Sequence, residues 1–147
     1  MRQLKDILER TTEDLEAFTH PRVSVAWQDL DLVYWRVYNP IPEFAGHIVG
    51  KRIEDIVENK EVATELSEAK RKVIETGKSY HQAATIVMGG RSYIFDLSIE
   101  PTYDDENQID GLMTICVDIT DLIQAKEHLA KANERLIKLL DDALGPH

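Results

Sequence analysis

Leu112–Leu144 reads LMTICVDITDLIQAKEHLAKANERLIKLLDDAL, a strand-like run followed by a helix-like run. Before Asp118, both alternating faces of the segment are largely apolar, as expected of a strand that is covered on both sides. After Thr120, apolar residues recur with a helical period. The stretch therefore predicts a last strand that passes directly into a long amphipathic helix.

The helix-like run follows a heptad pattern that is typical of a coiled coil. Leu122, Leu129 and Leu136 occupy d positions and Leu140 occupies an a position. Asn133, at another a position, favours a single register. On a monomer these leucines would form an exposed apolar stripe, so we expect the helix to pair with its own copy in a homodimer. A helix folded back on its own domain is the alternative.

The junction between the two runs has a chemical cause. Thr120 is expected to be the N-cap of the helix, because its hydroxyl can accept from an amide two or three residues on. Asp121 would place negative charge beside the positive end of the helix dipole.

Composition limits the classes of partner. The chain of 147 residues fits one domain with helical extensions, and its formal charge of −10 argues against nucleic acid or an anionic membrane as a partner. Cys116 is the only cysteine, which excludes an internal disulfide and a multi-cysteine metal site. No segment approaches the length of a membrane span or a signal peptide, so we expect a cytoplasmic protein.

The N-terminal segment repeats the helical theme. Leu4, Leu8, Leu15 and Phe18 recur at helical spacing, and Pro21 ends the pattern. We expect residues 1–20 to form an amphipathic helix that joins the dimer interface, residues 21–120 to form the domain, and residues 121–147 to form the coiled coil.

The middle of the chain alternates strand and helix signals. We predict a hairpin from Val23–Trp27 and Val33–Tyr38, then short helices, a longer helix over Asn59–Gly77, and strands over Ser79–Met88 and Arg91–Glu100. Gly89-Gly90 suits a two-residue hairpin turn, and Pro101 is expected to end the strand before it. These elements predict an α+β domain with helices on one face of an antiparallel sheet.

Four short motifs follow this order of elements. They are Tyr38-Asn39-Pro40, Gly50-Lys51-Arg52 with Ile53-Glu54-Asp55-Ile56, Glu75-Thr76-Gly77-Lys78, and Asp118-Ile119-Thr120. In order and spacing the chain resembles a PAS domain of the bacterial sensor histidine kinase type, with a coiled-coil linker. The resemblance implies a five-stranded sheet of order 2-1-5-4-3 and a pocket between sheet and helices. It also implies a signal junction formed by Asp118, Ile119 and Thr120.

The pocket is expected to hold any cofactor or ligand. Apolar side chains from the helices and the last three strands should line it, and the candidates are Phe44, Ile56, Leu66, Phe95 and Ile115. Noncovalent flavin or a small metabolite is left open, with Trp27, Trp35, Tyr93 or Phe95 available to flank a ring. The resemblance implies that haem-binding members use a histidine on the longer helix and that light-sensing flavin members use a reactive cysteine near it. Asn59–Gly77 has no histidine and Arg52–Asn59 has no cysteine, so covalent flavin chemistry is not expected and haem would need an unusual ligand such as His47 or His81.

No catalytic or metal-binding group is predicted. None of the histidines has a partner at metal-ligand spacing, and Cys116 lies within a strand, where a buried, inert thiol is expected. Neither a phosphoacceptor helix nor an ATP-binding domain fits in 147 residues, so we expect no enzyme activity from the chain itself, and a parent protein that is a sensor kinase is left open.

Three functions remain. The first is a sensory and dimerisation module that relays a signal through the coiled coil to a downstream effector such as a histidine kinase. The second is a PAS scaffold without a ligand. The third is a small lyase or isomerase with Asp96 or His81 as its base, for which no matched acid-base pair is evident.

Overall fold

The computed structural model describes residues 21–145, so the predicted N-terminal helix with Leu4, Leu8, Leu15 and Phe18 lies outside the described residues. The described chain divides between two compact units: residues 22–118 form one, and the helix after Asp118 belongs to the other.

The first unit is a five-stranded antiparallel sheet with one long helix. Its elements are β1 (Val23–Asp29), β2 (Tyr34–Tyr38), two 3-10 turns (Pro42–Phe44 and Ile53–Asp55), α1 (Lys60–Thr76), β3 (Tyr80–Met88), β4 (Arg91–Tyr103) and β5 (Ile109–Asp118). The strand order is β2-β1-β5-β4-β3, so the last strand is central. The predicted α+β fold and strand order are confirmed.

Glycines provide positive φ angles at the end of α1 and in the hairpin turn between β3 and β4. Gly77 ends α1 in the left-handed region with φ +71°, and its amide donates to the Val73 carbonyl (2.8 Å). Gly89 and Gly90 both have positive φ (56° and 74°) between the paired residues Met88 and Arg91.

The expectation that Pro101 ends β4 is wrong. The strand continues to Tyr103, and Pro101 pairs with Leu112 of β5. The pairing of β4 with β3 runs from Ile99 towards Arg91, so Pro101 lies beyond it. The missing amide of Pro101 therefore leaves no hydrogen bond to β3 unmade.

The core lies between α1 and one face of the sheet. Leu66 of α1 packs in a buried cluster with Ile86 and Phe95, and Val73 packs in a second cluster with Ile99 and Leu112. Ile99 and Leu112 are fully buried. Because Leu66 and Val73 are seven residues apart, both lie on the helix face that covers the sheet.

The second unit contains α2 (Thr120–Leu144). Ile119 occupies the N-cap position and Thr120 is the first helical residue, so the expectation that Thr120 is the N-cap is wrong by one residue. The helix starts earlier because the Ile119 carbonyl already accepts the first intrahelical bond, from the Ile123 amide (2.9 Å). Most of the predicted interface leucines of α2 are exposed: Leu129 is 46%, Leu136 56% and Leu140 53% accessible.

Candidate functional site

A small apolar cavity lies within the first unit, enclosed by α1, the 3-10 turns and the sheet. Its volume is about 100 Å³. Pockets for drug-sized ligands are several times larger, at roughly 300–1,000 Å³. In this conformation the cavity has room for a small organic molecule but not for a flavin or a haem.

Four of the five residues predicted to line the pocket do so. They are Phe44 from the first 3-10 turn, Ile56 just after the second, Leu66 from α1 and Phe95 from β4. Whether they bind a ligand stays a prediction.

The inclusion of Ile115 in the pocket is wrong. Its neighbours on β5, Thr114 and Cys116, both line the cavity. Successive side chains of a strand point to opposite faces of the sheet. Ile115 therefore lies half-buried on the opposite face.

The cavity has a polar corner. Lys70 of α1 and Tyr34 of β2 both line it, and both are buried, at 2% and 8% exposure. Lys70 Nζ donates a hydrogen bond to Tyr34 Oη (3.0 Å). No second acceptor for the Lys70 ammonium is found among the described residues, although an ammonium carries three donors.

A second polar group of the cavity has no partner. Thr114 is 4% exposed and lines the cavity, and its Oγ1 has no hydrogen-bond partner among residues 21–145. A buried hydroxyl without a partner costs roughly 1–3 kcal/mol. Thr114, Lys70 and Tyr34 thus bring unused hydrogen-bonding capacity to an otherwise apolar wall.

Burial shifts the pKa values of the titratable groups in this corner. Burial lowers the pKa of Lys70 to about 8, against the opposing fields of Cys116 and Glu54. Burial raises the pKa of Cys116 to about 11, against the opposing field of Lys70. Burial also raises the pKa of Tyr34, with Cys116 and Glu54 adding to the effect. At neutral pH the corner therefore holds an ammonium, a thiol and a phenol.

Sequence reasoning missed Lys70, Tyr34 and Thr114. A signal was present for Lys70, because it lies four residues after Leu66 and three before Val73, on the apolar face of α1. A lysine at such a position usually reaches past the core to solvent with its long side chain. Only the structure shows that its ammonium stays inside.

The groups considered for acid-base or haem chemistry lie outside the cavity. His81 and Asp96 contact each other on neighbouring strands, with Nε2 and Oδ2 2.9 Å apart, and the His81 side chain is 65% exposed. His47 is exposed in the loop after the first 3-10 turn. Trp27, Trp35 and Tyr93 also lie outside the cavity. The part of the chain that the structure describes contains no cluster of three His, Cys, Asp or Glu suited to a metal ion.

A larger groove of about 600 Å³ lies elsewhere on the first unit. It is lined mostly by exposed side chains, including Asp31, Arg52, Glu68 and Arg71. Such a groove presents solvated charges rather than buried, unpartnered groups. The smaller cavity is therefore the better candidate for a specific ligand site.

Comparisons with known proteins identify the fold. A family model described as the PAS fold (PAS_4) matches residues 23–124. Probable histidine kinase 1 of Oryza sativa subsp. indica is 26% identical over 117 residues, and histidine kinase 5 of Arabidopsis thaliana is 29% identical over 111 residues. These alignments cover 77% and 73% of this chain but only 12% of each relative.

Solved structures give the same fold at low sequence identity. A Vibrio cholerae VqmA dimer without its target DNA superposes with a TM-score of 0.61 at 21% identity, covering 76% of this chain and 52% of that one. A sensory box sensor histidine kinase from Vibrio cholerae superposes with a TM-score of 0.54 at 14% identity, covering 80% and 98%.

The five-stranded sheet and its covering helix are those of the PAS fold that the family model describes. The chain belongs to the PAS fold family, and its PAS domain is related to those of sensor histidine kinases. No helix in the described range 21–145 is long and apolar enough to span a bilayer.

Proposed function

We propose that the chain is a cytoplasmic PAS sensory and dimerisation module that relays a signal through its C-terminal coiled coil to an effector such as a histidine kinase. The observation that carries the proposal is the small cavity with buried, unpartnered polar groups in the domain whose central strand, β5, continues into α2. The histidine kinase relatives support an effector of that class.

Dimerisation is proposed to use the leucine stripe of α2. Leu129, Leu136 and Leu140 are each about half exposed, and leucines at a and d positions gain roughly 1.5–3 kcal/mol each when buried in a seam. The predicted N-terminal helix would add Leu4, Leu8, Leu15 and Phe18 to this interface. The formal charge of −10 supports a protein partner over nucleic acid or an anionic membrane.

Leu136→Glu is expected to shift the chain towards monomer, because it places two like charges in the seam of a dimer. Lys131→Glu is the matched control, since Lys131 is a charged, exposed residue of the same helix at an f position, outside the seam. Sedimentation velocity at tens of micromolar measures the difference. A wild-type protein that sediments as a monomer at that concentration contradicts the dimer.

The segment Asp118–Thr120 is proposed to couple the domain to the helix. The Asp118 amide ends the pairing of β5 by donating to the Arg22 carbonyl (2.9 Å), and α2 begins two residues later. Only Ile119 lies between the two elements in the sequence, so we expect a change at the end of the strand to act on the first turn of the helix.

Asp118→Ala and Thr120→Ala are each expected to cost about 1 kcal/mol of domain stability, the usual net worth of one hydrogen bond, and to alter the response of a fused kinase to its stimulus. Asp105→Ala, in the exposed turn before β5, is the control. Phosphorylation assays with and without stimulus measure the response. If both junction variants melt slightly earlier yet respond like the wild type, the segment is only a structural connection.

A PAS scaffold without a ligand is the second candidate. The modest volume of the cavity, about 100 Å³, favours it, because dimerisation and spacing need no pocket. The two candidates differ in whether small molecules raise the melting temperature of the chain.

A further inference from the structure

We propose that the cavity binds a small organic monoanion, with its charged group against Lys70, Tyr34 and Thr114 and its apolar part against Leu66 and Phe95. This inference rests on the proposed sensory function and names the class of ligand.

The cavity contains a buried positive charge at Lys70. Lys70 Nζ is buried with one hydrogen-bond acceptor, the neutral oxygen of Tyr34 at 3.0 Å. No carboxylate among the described residues lies within ion-pair distance of it. The carboxyl group of Glu54 is exposed and accepts instead from Ser67 Oγ (2.6 Å). A buried ammonium is stable only when an anion or several acceptors compensate it.

Several hydrogen-bond donors line the cavity. Lys70 has two further N–H groups, and Tyr34 accepts from Lys70 while keeping its own proton to donate. Thr114 adds a buried hydroxyl without a partner in the described structure. A carboxylate or an enolate has acceptors only, so it matches a site made of donors, and its charge would strengthen each bond.

The cavity is small and mostly apolar. The remaining wall is aliphatic and aromatic, with Leu66, Ile86 and Phe95 all buried. A volume of about 100 Å³ admits a short branched chain but not a sugar or a nucleotide. One negative charge suffices, because Lys70 is the only cation that lines the cavity in residues 21–145.

Isothermal titration calorimetry on the full 147-residue chain tests the proposal with isobutyrate as the probe and isobutyramide as its neutral isostere. At pH 7 we expect isobutyrate to bind at least about tenfold more tightly than isobutyramide, because charge-assisted hydrogen bonds are roughly twice as strong as neutral ones. Equal affinity of the two probes, or no binding of isobutyrate, overturns the proposal.

Variants locate the binding site. Lys70→Met should remove the preference for the anion, and Thr114→Val should weaken isobutyrate binding several-fold while leaving shape and volume nearly unchanged. Lys72→Met removes an exposed lysine of the same helix and should change nothing. A preference for isobutyrate that survives Lys70→Met places the anion elsewhere and overturns the proposal. Thr114→Val gives a separate test should Lys70→Met fold poorly.

The pH dependence of the wild type gives a readout that needs no variant. Burial lowers the pKa of Lys70 to about 8, so at pH 9.5 most free protein has a neutral Lys70. The groups that face it are Tyr34 of β2, whose pKa is raised, Cys116 of β5, whose pKa is about 11, and the exposed Glu54. Tyr34 and Cys116 therefore keep their protons at pH 9.5. Isobutyrate affinity should fall more than about tenfold from pH 7 to 9.5, and unchanged affinity overturns the proposal.

These measurements test the class of ligand independently of the proposed sensory function. Binding of isobutyramide as tightly as isobutyrate would remove the anion inference and leave a sensory cavity for neutral ligands. The junction variants test the relay through the fused kinase whatever the ligand is.

Discussion

Gly111→Ala is expected to lower the free energy of unfolding by about 3 kcal/mol, the upper end of what overpacking costs in a rigid interior. Gly111 lies on the central strand β5, between Asp29 of β1 and Thr102 of β4. A Cβ at this position would lie 2.2 Å from the backbone oxygen of Gln28 and 3.2 Å from its carbonyl carbon. Because both atoms belong to the main chain, no side-chain rotation relieves the clash, and β1 must move away from β5.

Urea unfolding at fixed protein concentration measures this loss, with the fluorescence of Trp27 and Trp35 as the signal. Gly46→Ala is the matched control. Gly46 has a positive φ of 85°, and a methyl group added there would meet no atom within 4 Å, so this substitution costs only the backbone strain of roughly 1–2 kcal/mol. Equal losses for the two variants would show that the sheet absorbs the methyl group at Gly111.

The topology was predictable because local signals agreed with one another. Gly89-Gly90 fixed a hairpin, Gly77 fixed the end of α1, and the change of period at Asp118 separated β5 from α2. Each signal is a backbone requirement that few other residues satisfy. The prediction that Pro101 ends β4 was wrong, because a proline interrupts a strand only where its missing amide hydrogen would face a neighbouring strand.

The cavity was predictable only in part. Phe44, Leu66 and Phe95 stand out as large apolar residues on elements that must cover the sheet. The sequence does not show which face of β5 is turned towards the cavity, because both alternating sets of its residues are largely apolar. The face of β5 that is turned towards the cavity carries Thr114 and Cys116, and it is the more polar of the two faces of the strand. Hydrophobicity alone therefore favours Ile115, although the groups that face the cavity from β5 can form hydrogen bonds.

The second large prediction concerns Lys70, because burial in the folded protein disfavours the charged form of this side chain. Lys70→Met is expected to raise the free energy of unfolding at pH 7 by about 1 kcal/mol, because an unbranched apolar chain replaces a buried ammonium. The gain is reduced because Tyr34 loses the hydrogen bond from Lys70. Lys70→Met combined with Tyr34→Phe should therefore be more stable than Lys70→Met alone, and Lys72→Met should match the wild type.

The direction in which stability changes with pH follows from the change in the pKa of each buried group on folding. The pKa of Lys70 falls from its ordinary 10.5 to about 8 on folding, so between these values the unfolded chain binds a proton that the folded chain does not. Stability therefore rises with pH from about 8. The pKa of Cys116 rises from 9.0 to about 11, so the unfolded chain loses that proton first and stability falls from about pH 9. The raised pKa of Tyr34 adds to the fall at higher pH.

The wild type should consequently gain about 1 kcal/mol of stability between pH 7 and 9 relative to Lys70→Met, and the difference should stop growing above the ordinary pKa of lysine. Urea denaturation of both proteins at half-unit pH steps measures it, and the comparison cancels the titration of groups that the two share. Parallel stability curves from pH 7 to 9 would mean that Lys70 keeps an ordinary pKa in the folded chain, with its ammonium reaching water. That result would also remove the charge-balance argument for an anionic ligand, because a solvated lysine needs no anion in the cavity.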